Sequence, residues 1–240
     1  MREVMILPDA GAIAREGAAR FTALARSAIA ATGRFTVALS GGSTPKAMFA
    51  LLVDLPIDWA HVHVFWGDER CVPPAHADSN YRMAREALLS KVALPDQNIH
   101  RLRGEIDPAQ AALAYEADLR HIFGSIDWPR FDLILLGLGT DAHTASLFPN
   151  TSAIHESTRW VVGHFVEKLQ AQRLTLTPPA INHADHAIFL VAGADKASAI
   201  RSVFEGPRDV DRFPAQIIEP LTGRVTWLID EAAAANLGAP

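Results

Sequence analysis

Cysteine is almost missing from this 240-residue chain, where Cys71 stands alone. One thiol excludes an intrachain disulfide and any cysteine-built metal cluster, and Cys71 is read as an incidental, partly buried residue and not as a nucleophile. An excess of basic charge is missing too. Lys and Arg number 22 against 27 Asp and Glu, a net charge of -5, and no basic patch or stacked aromatic series addresses a nucleic acid. An anionic ligand must therefore be gripped by locally placed cations, not by the overall field. No apolar run approaches the roughly 20 residues that span a bilayer, and no long apolar segment follows basic residues at the N-terminus. The expected setting is the cytoplasm, with no membrane partner. No repeat, low-complexity tract or linker divides the chain, so 1–240 is read as a single domain.

What is present is alternation. A short apolar run over 3–7 precedes an alanine-rich helix over 9–31, with Ile13, Phe21, Leu24 and Ala28 near helical spacing and Gly33 as its stop. Further strands are expected at 35–39, 61–66, 133–136, 159–166, 186–192, 214–218 and 225–229. Helices are expected at 78–92, from Asp107-Pro108 to Ile122, and from Lys196 to Phe204, with Asp230 capping a last turn. Strands alternating with helices predict a three-layer α/β fold, Rossmann-like, with a mostly parallel sheet and helices on both faces. In such sheets ligands bind beyond the carboxyl ends of the strands.

Three strand ends carry chemistry. Phe35–Leu39 runs into Ser40-Gly41-Gly42-Ser43-Thr44-Pro45, where glycines let the backbone approach an anion, Ser43 and Thr44 offer hydroxyls, and Thr44 would cap a helix opened by Pro45. The P-loop spacing is missing, and a plain tight turn is the other reading. The strand 61–66 ends in Gly67-Asp68-Glu69-Arg70. Charges at a strand end seldom serve the core, although Asp68 and Arg70 also suit a surface ion pair. His61 and His63 share a strand face but have no third metal ligand in evidence, so both are read as structural, like His183 and His186. The buried run Leu133-Ile134-Leu135-Leu136 breaks into Gly137-Leu138-Gly139-Thr140-Asp141-Ala142-His143. Asp141 suits a cap for a helix over 142–148. His143 exceeds what a cap needs, because imidazole is matched to proton transfer near neutral pH.

The stretch GLGTDAHTASLFP, together with SGGSTP, WGDER, GADKA and WLIDEAA, resembles the family that joins 6-phosphogluconolactonases with glucosamine-6-phosphate deaminases and, more widely, ribose-5-phosphate isomerases. The likeness runs from about Ser40 to Ala234. It implies that the Gly41–Thr44 loop belongs to a phosphate-binding site and that the segment with Asp68 and Arg70 lines a sugar pocket. It also implies that Lys168 and Arg173 are the family's lysine and arginine ahead of a threonine-rich strand end. Two positions depart from the pattern. Ala142 stands where the family usually has glycine, and since alanine tolerates positive φ poorly, a negative φ is expected at the start of a helix. The prolines that usually follow the lysine are absent, so a less rigid loop is expected at Lys168.

The resemblance implies hydrolysis of 6-phospho-D-glucono-1,5-lactone to 6-phospho-D-gluconate, the second step of the oxidative pentose phosphate pathway. His143 is the expected general base, Asp141 orients it or caps the helix, and Arg70 or backbone amides near Gly139 stabilise the oxyanion. Lys168, Arg173 and the residues Gly41, Gly42, Ser43 and Thr44 would hold the phosphate. No cofactor and no metal are expected, and the partner is a small sugar-phosphate lactone met by a monomer or weak homodimer. Two rivals stand beside this reading. A deaminase on the same scaffold would end its signature in Asn-Glu-Pro, where this chain has Leu147-Phe148-Pro149. A non-catalytic sugar-phosphate sensor would bind without turnover.

Overall fold

A computed structural model describes residues 2–124 and 126–238. The unbroken apolar runs form strands covered on both faces: Phe35–Leu39 (β2) and Leu133–Leu136 (β5) are buried at every position. With Arg2–Leu7 (β1), Val62–Trp66 (β3), His186–Val191 (β8) and Arg224–Asp230 (β9) they make a six-stranded, all-parallel sheet in the order β1-β9-β8-β5-β2-β3. From β2 the chain moves outward to β3, then returns to place β5 on the other side of β2. The strand order therefore reverses between β2 and β5, where a parallel sheet opens a crevice at its carboxyl end.

Helices close both faces. Ala10–Thr32 (α1) begins at Asp9, whose side chain accepts from the Ala12 amide, and ends at Gly33 in the left-handed region, φ 80°. Its stripe of Ile13, Gly17, Phe21 and Ala25 is buried, and a Cβ on Gly17 would meet Met48 Sδ at 2.7 Å and Leu190 at 3.2 Å. Met48 lies on Ser43–Leu52 (α2), which packs beside α1. On the opposite face Phe204 of Ala197–Glu205 (α6) meets Trp227 edge-on, and Trp227 stacks flat on Phe189 at 3.6 Å. Asp230 ends β9 and caps Glu231–Ala234 (α7) through the Ala233 amide. The expected three-layer α/β fold, parallel sheet included, is the observed one.

A second sheet was not foreseen. Asp68–Arg70 (β4), Val161–Val166 (β6) and Ala171–Leu176 (β7) pair antiparallel in the order β4-β7-β6, and Pro108–Phe123 (α4) packs on β6 and β7. Gly67 joins the sheets: its N–H donates to Leu39 O at 2.9 Å and its carbonyl accepts from the Leu176 amide at 2.8 Å. Three charged residues give β4 no apolar alternation, so its strand character comes from this pairing alone.

Four local expectations fail. The helix at 78–92 is shorter, Asn80–Ala87 (α3) followed by a 3₁₀ turn at Leu89–Lys91. Residues 214–218 are a 3₁₀ turn, Pro214–Ile217, and not a strand, because Pro214 suits the first turn of a helix. Thr44 does not cap α2; Gly42 is the N-cap, with φ 113°, and Pro45 lies inside the first turn. Residues 142–148 form no helix, since Ala142 and Ala145 both have positive φ, 61° and 48°. Pro178–Asn182 (α5) is a short turn of helix after β7.

Candidate active site

The crevice between β2 and β5 opens into a cleft of about 520 Å³. Its floor comes from the loop after β5. The negative φ expected at Ala142 is overturned: at 61° the chain turns left-handed, stapled by Ala142 N–H to Gly139 O at 3.0 Å and by Ala215 N–H to Ala142 O at 3.0 Å. The physical reason is reach. In a helix, side chains two residues apart do not face one another, whereas this turn folds His143 back so that its Nδ1 lies 2.6 Å from Asp141 Oδ1. The same oxygen accepts the His143 amide at 3.2 Å. A carboxylate only accepts, so Nδ1 carries a proton, and in the neutral ring Nε2 holds the lone pair. Nε2 has no protein partner among the described residues.

Two further contacts hold His143 in place. Phe148 stacks on the ring at 4.0 Å between centroids. Gly139 donates its N–H to His143 O at 2.8 Å, and a Cβ on Gly139 would collide with His143 Nδ1. Glycine is therefore required there by close approach. That donated N–H also removes the Gly139 amide from the expected oxyanion role. Burial pushes the Asp141 carboxyl up, but hydrogen bonds from His143 and from Lys168, whose Nζ lies 2.6 Å from Oδ2, outweigh it and hold the group well below the usual carboxylate range.

The other wall is built by the second sheet. Arg70 of β4 and Arg173 of β7 are cross-strand neighbours. Both line the cleft, and neither has a carboxylate partner among the described residues. Arg70 donates to Asp78 O at 2.6 Å and Arg173 to Gln172 O at 3.1 Å. Burial and the neighbouring Arg70 charge lower the affinity of Arg173 for its proton. Two unpaired like charges held side by side are costly to a fold and suit an incoming anion. Asp68, also expected at the site, lines the cleft but is largely buried and bonded within the fold: Oδ2 accepts from Ser146 Oγ at 2.7 Å and its carbonyl from Asn80 Nδ2 at 3.0 Å. It fastens the loop after β5 to β4.

Beyond β2, Gly41 and Gly42 line the cleft, but Ser43 and Thr44 do not. A Cβ on Gly41 would collide with Asn80 Oδ1, a buried oxygen with no partner among the described residues. Lys168 lines the same cleft as Arg173, but it sits on the turn Glu167–Leu169, closed by Gln170 at φ 49°, and reaches Asp141. Sequence reasoning gave Lys196 no role, and expected Asn80 only as part of the segment that the resemblance sets at the sugar pocket. Lys196 lines the cleft from the turn after β8, and the strand-end rule that flagged Arg70 would have found it. Buried Glu69 turns away and accepts the amides of Arg70, Asn80 and Tyr81 and the Ser79 hydroxyl, capping α3. Burial pushes the Cys71 thiol up to about 11, which leaves little thiolate near neutral pH. His61 pairs with Asp58 and His63 with His100, and among the described residues no group of acids, histidines and cysteine is arranged to hold a metal.

A family profile described as glucosamine-6-phosphate isomerases/6-phosphogluconolactonase matches residues 8–227. The chain belongs to this family. A 6-phosphogluconolactonase of Synechocystis sp. is 47% identical over 214 residues, covering 88% of both chains. One of Nostoc sp. is 43% identical over 240 residues, covering 98% of both. The solved 6-phosphogluconolactonase of Trypanosoma brucei superposes with a TM-score of 0.87 at 28% identity, covering 99% of both chains. Ala142, where the resemblance leads one to expect glycine, has a left-handed backbone.

Proposed function

We propose that this chain, acting as one domain over 1–240, hydrolyses 6-phospho-D-glucono-1,5-lactone to 6-phospho-D-gluconate, the second step of the oxidative pentose phosphate pathway. The observation that carries the reading is the Asp141–His143 pair, with Nε2 free, set in a cleft that also holds unpaired cations. His143 Nε2 takes a proton from water as its oxygen bonds to the lactone carbonyl carbon. The carbonyl electrons move to oxygen, and Arg70 is the side chain assigned to that oxyanion. When the intermediate collapses, the bond from C1 to the ring oxygen breaks and His143 returns the proton to the departing oxygen. Asp141 orients the ring and stabilises the imidazolium. Arg173 and Lys196, with the Gly41 and Gly42 amides at the start of α2, hold the phosphate and so position the carbonyl.

Phe148 counts against the deaminase reading. It lays an apolar ring on His143 where the deaminase signature carries a carboxylate. A cytoplasmic setting and a monomer or weak homodimer belong to the same proposal. The test is a lactonase assay on fresh substrate with the spontaneous rate subtracted. His143→Gln should lower turnover by about 10²-fold or more while leaving the fold intact, and near-normal turnover would remove His143 from the mechanism. Binding of the phosphorylated lactone with no turnover by the unaltered chain would revive the sensor.

A further inference from the structure

Lys168 is the one cleft cation whose charge is already engaged at the catalytic pair. Its Nζ lies 2.6 Å from Asp141 Oδ2, while Asp141 Oδ1 receives His143 Nδ1–H at 2.6 Å. The carboxylate is thus shared between a lysine and the base. The lysine side chain is 63% exposed and the carboxylate 19%, so the ammonium holds Asp141 from the solvent side at the mouth of the cleft. Water screens the exposed ammonium end of the pair, and the four-carbon stem of lysine lets its charge swing to a new partner.

We propose that Lys168 is a positioning residue acting through Asp141: it holds the carboxylate while the cleft is empty, and the phosphate of the bound lactone draws it away. The proposal rests on the lactonase reading of the site. With Lys168 on Oδ2, part of the carboxylate charge is spent on the ammonium, and a cation stands close to any imidazolium that forms. Once Lys168 turns to the phosphate, the whole carboxylate supports His143 and the cation recedes. The base is then stronger in the substrate complex than in the empty enzyme, and a lactone without phosphate does not release it.

The other charged groups around the pair do not duplicate this arrangement. Asp68 is held by Ser146 and Asn80. Arg70 and Arg173 face the cleft from β4 and β7 with backbone carbonyls as partners. Lys196 pairs with Asp195 at 3.0 Å. Glu167 and Arg212 border the flanking hollows on either side of Asp141, and neither bonds to Asp141 or His143 among the described residues. Among the described residues, only Lys168 links the cleft mouth to the acid.

The experiment is a set of pH–rate profiles with phosphorylated and unphosphorylated gluconolactone, for wild type, Lys168→Ala and Lys168→Arg. The profile of kcat/KM reports the free enzyme and that of kcat the substrate complex. In wild type with the phosphorylated lactone, the acid limb of kcat should lie about one pH unit above that of kcat/KM, the size expected for removing a charge a few ångströms away. With the unphosphorylated lactone the two limbs should coincide. In Lys168→Ala the kcat/KM limb should rise and the separation close, and Lys168→Arg should restore the low limb. The idea is overturned if wild type shows no separation, or if the separation persists in Lys168→Ala, because the phosphate would then act on His143 directly. Either failure leaves the lactonase assignment standing. Absence of wild-type turnover above the spontaneous rate would instead overturn the assignment and this inference with it. The wild-type comparison of the two substrates needs no variant, so a poorly folding mutant does not block the test.

Discussion

Ala142 offers a direct measure of what the turn between Asp141 and His143 costs. It is 1% exposed with φ 61°, and Ala18 in the middle of α1 is 3% exposed in ordinary helix. Glycine at either site deletes one buried methyl, a loss of about 0.8 kcal/mol. In α1 the lost helix preference adds about 1 kcal/mol, so Ala18→Gly should destabilise by about 2 kcal/mol. At Ala142 the same methyl is lost and the unfolded chain gains similar freedom, but left-handed strain of about 1–2 kcal/mol is relieved. Ala142→Gly should therefore leave stability roughly unchanged, within about 1 kcal/mol. Urea unfolding followed by circular dichroism reads the contrast as a difference in midpoint at constant m. Turnover should survive in Ala142→Gly, since glycine adopts the turn freely, whereas Ala142→Val should lose both stability and activity. Equal losses for Ala142→Gly and Ala18→Gly would show that alanine is unstrained at the turn and that the argument for its geometry is wrong.

Gly139→Ala puts a methyl into the space of His143 Nδ1 and Asp141 Oδ1; turnover should fall to near that of His143→Gln with the circular dichroism spectrum unchanged, and retained activity would show that the ring needs no such approach. Arg173→Ala should raise KM for the phosphorylated lactone about tenfold or more, because a charge-assisted bond is worth about 1.5–3 kcal/mol in ground and transition states alike; a fall in kcat at constant KM would move Arg173 to the reacting end. The depressed Asp141 carboxyl contributes stability that is present above its unfolded value of about 3.9 and is lost as pH falls through the lower folded value. Urea midpoints measured downward from about pH 5 should therefore decline less steeply in Asp141→Asn than in wild type, and parallel declines would show that the carboxylate is not held by His143 and Lys168.

Much of this protein was legible along the chain because its signals are local. Buried runs such as Leu133–Leu136, the Asp9 cap and the Gly33 stop of α1, and a histidine beyond a strand end depend on neighbours within a few residues. They were enough to expect the parallel sheet and the strand ends that carry the site. Ala142 shows where local reading stops. Alanine prefers a negative φ, but the pull of Asp141 on His143 and the Ala215 N–H on Ala142 O hold it left-handed, and no window of the sequence contains residue 215 beside residue 142. The β4-β7 pairing likewise lies between segments about a hundred residues apart, and it alone sets Arg70 opposite Arg173. The family resemblance placed Lys168 with the phosphate, and its turn sets the ammonium on Asp141. Residue types determined which groups were available for acid, base and anion. The tertiary structure decided which of them meet, because distances between charges on different elements are set by sheet order and loop closure, which local preferences do not encode.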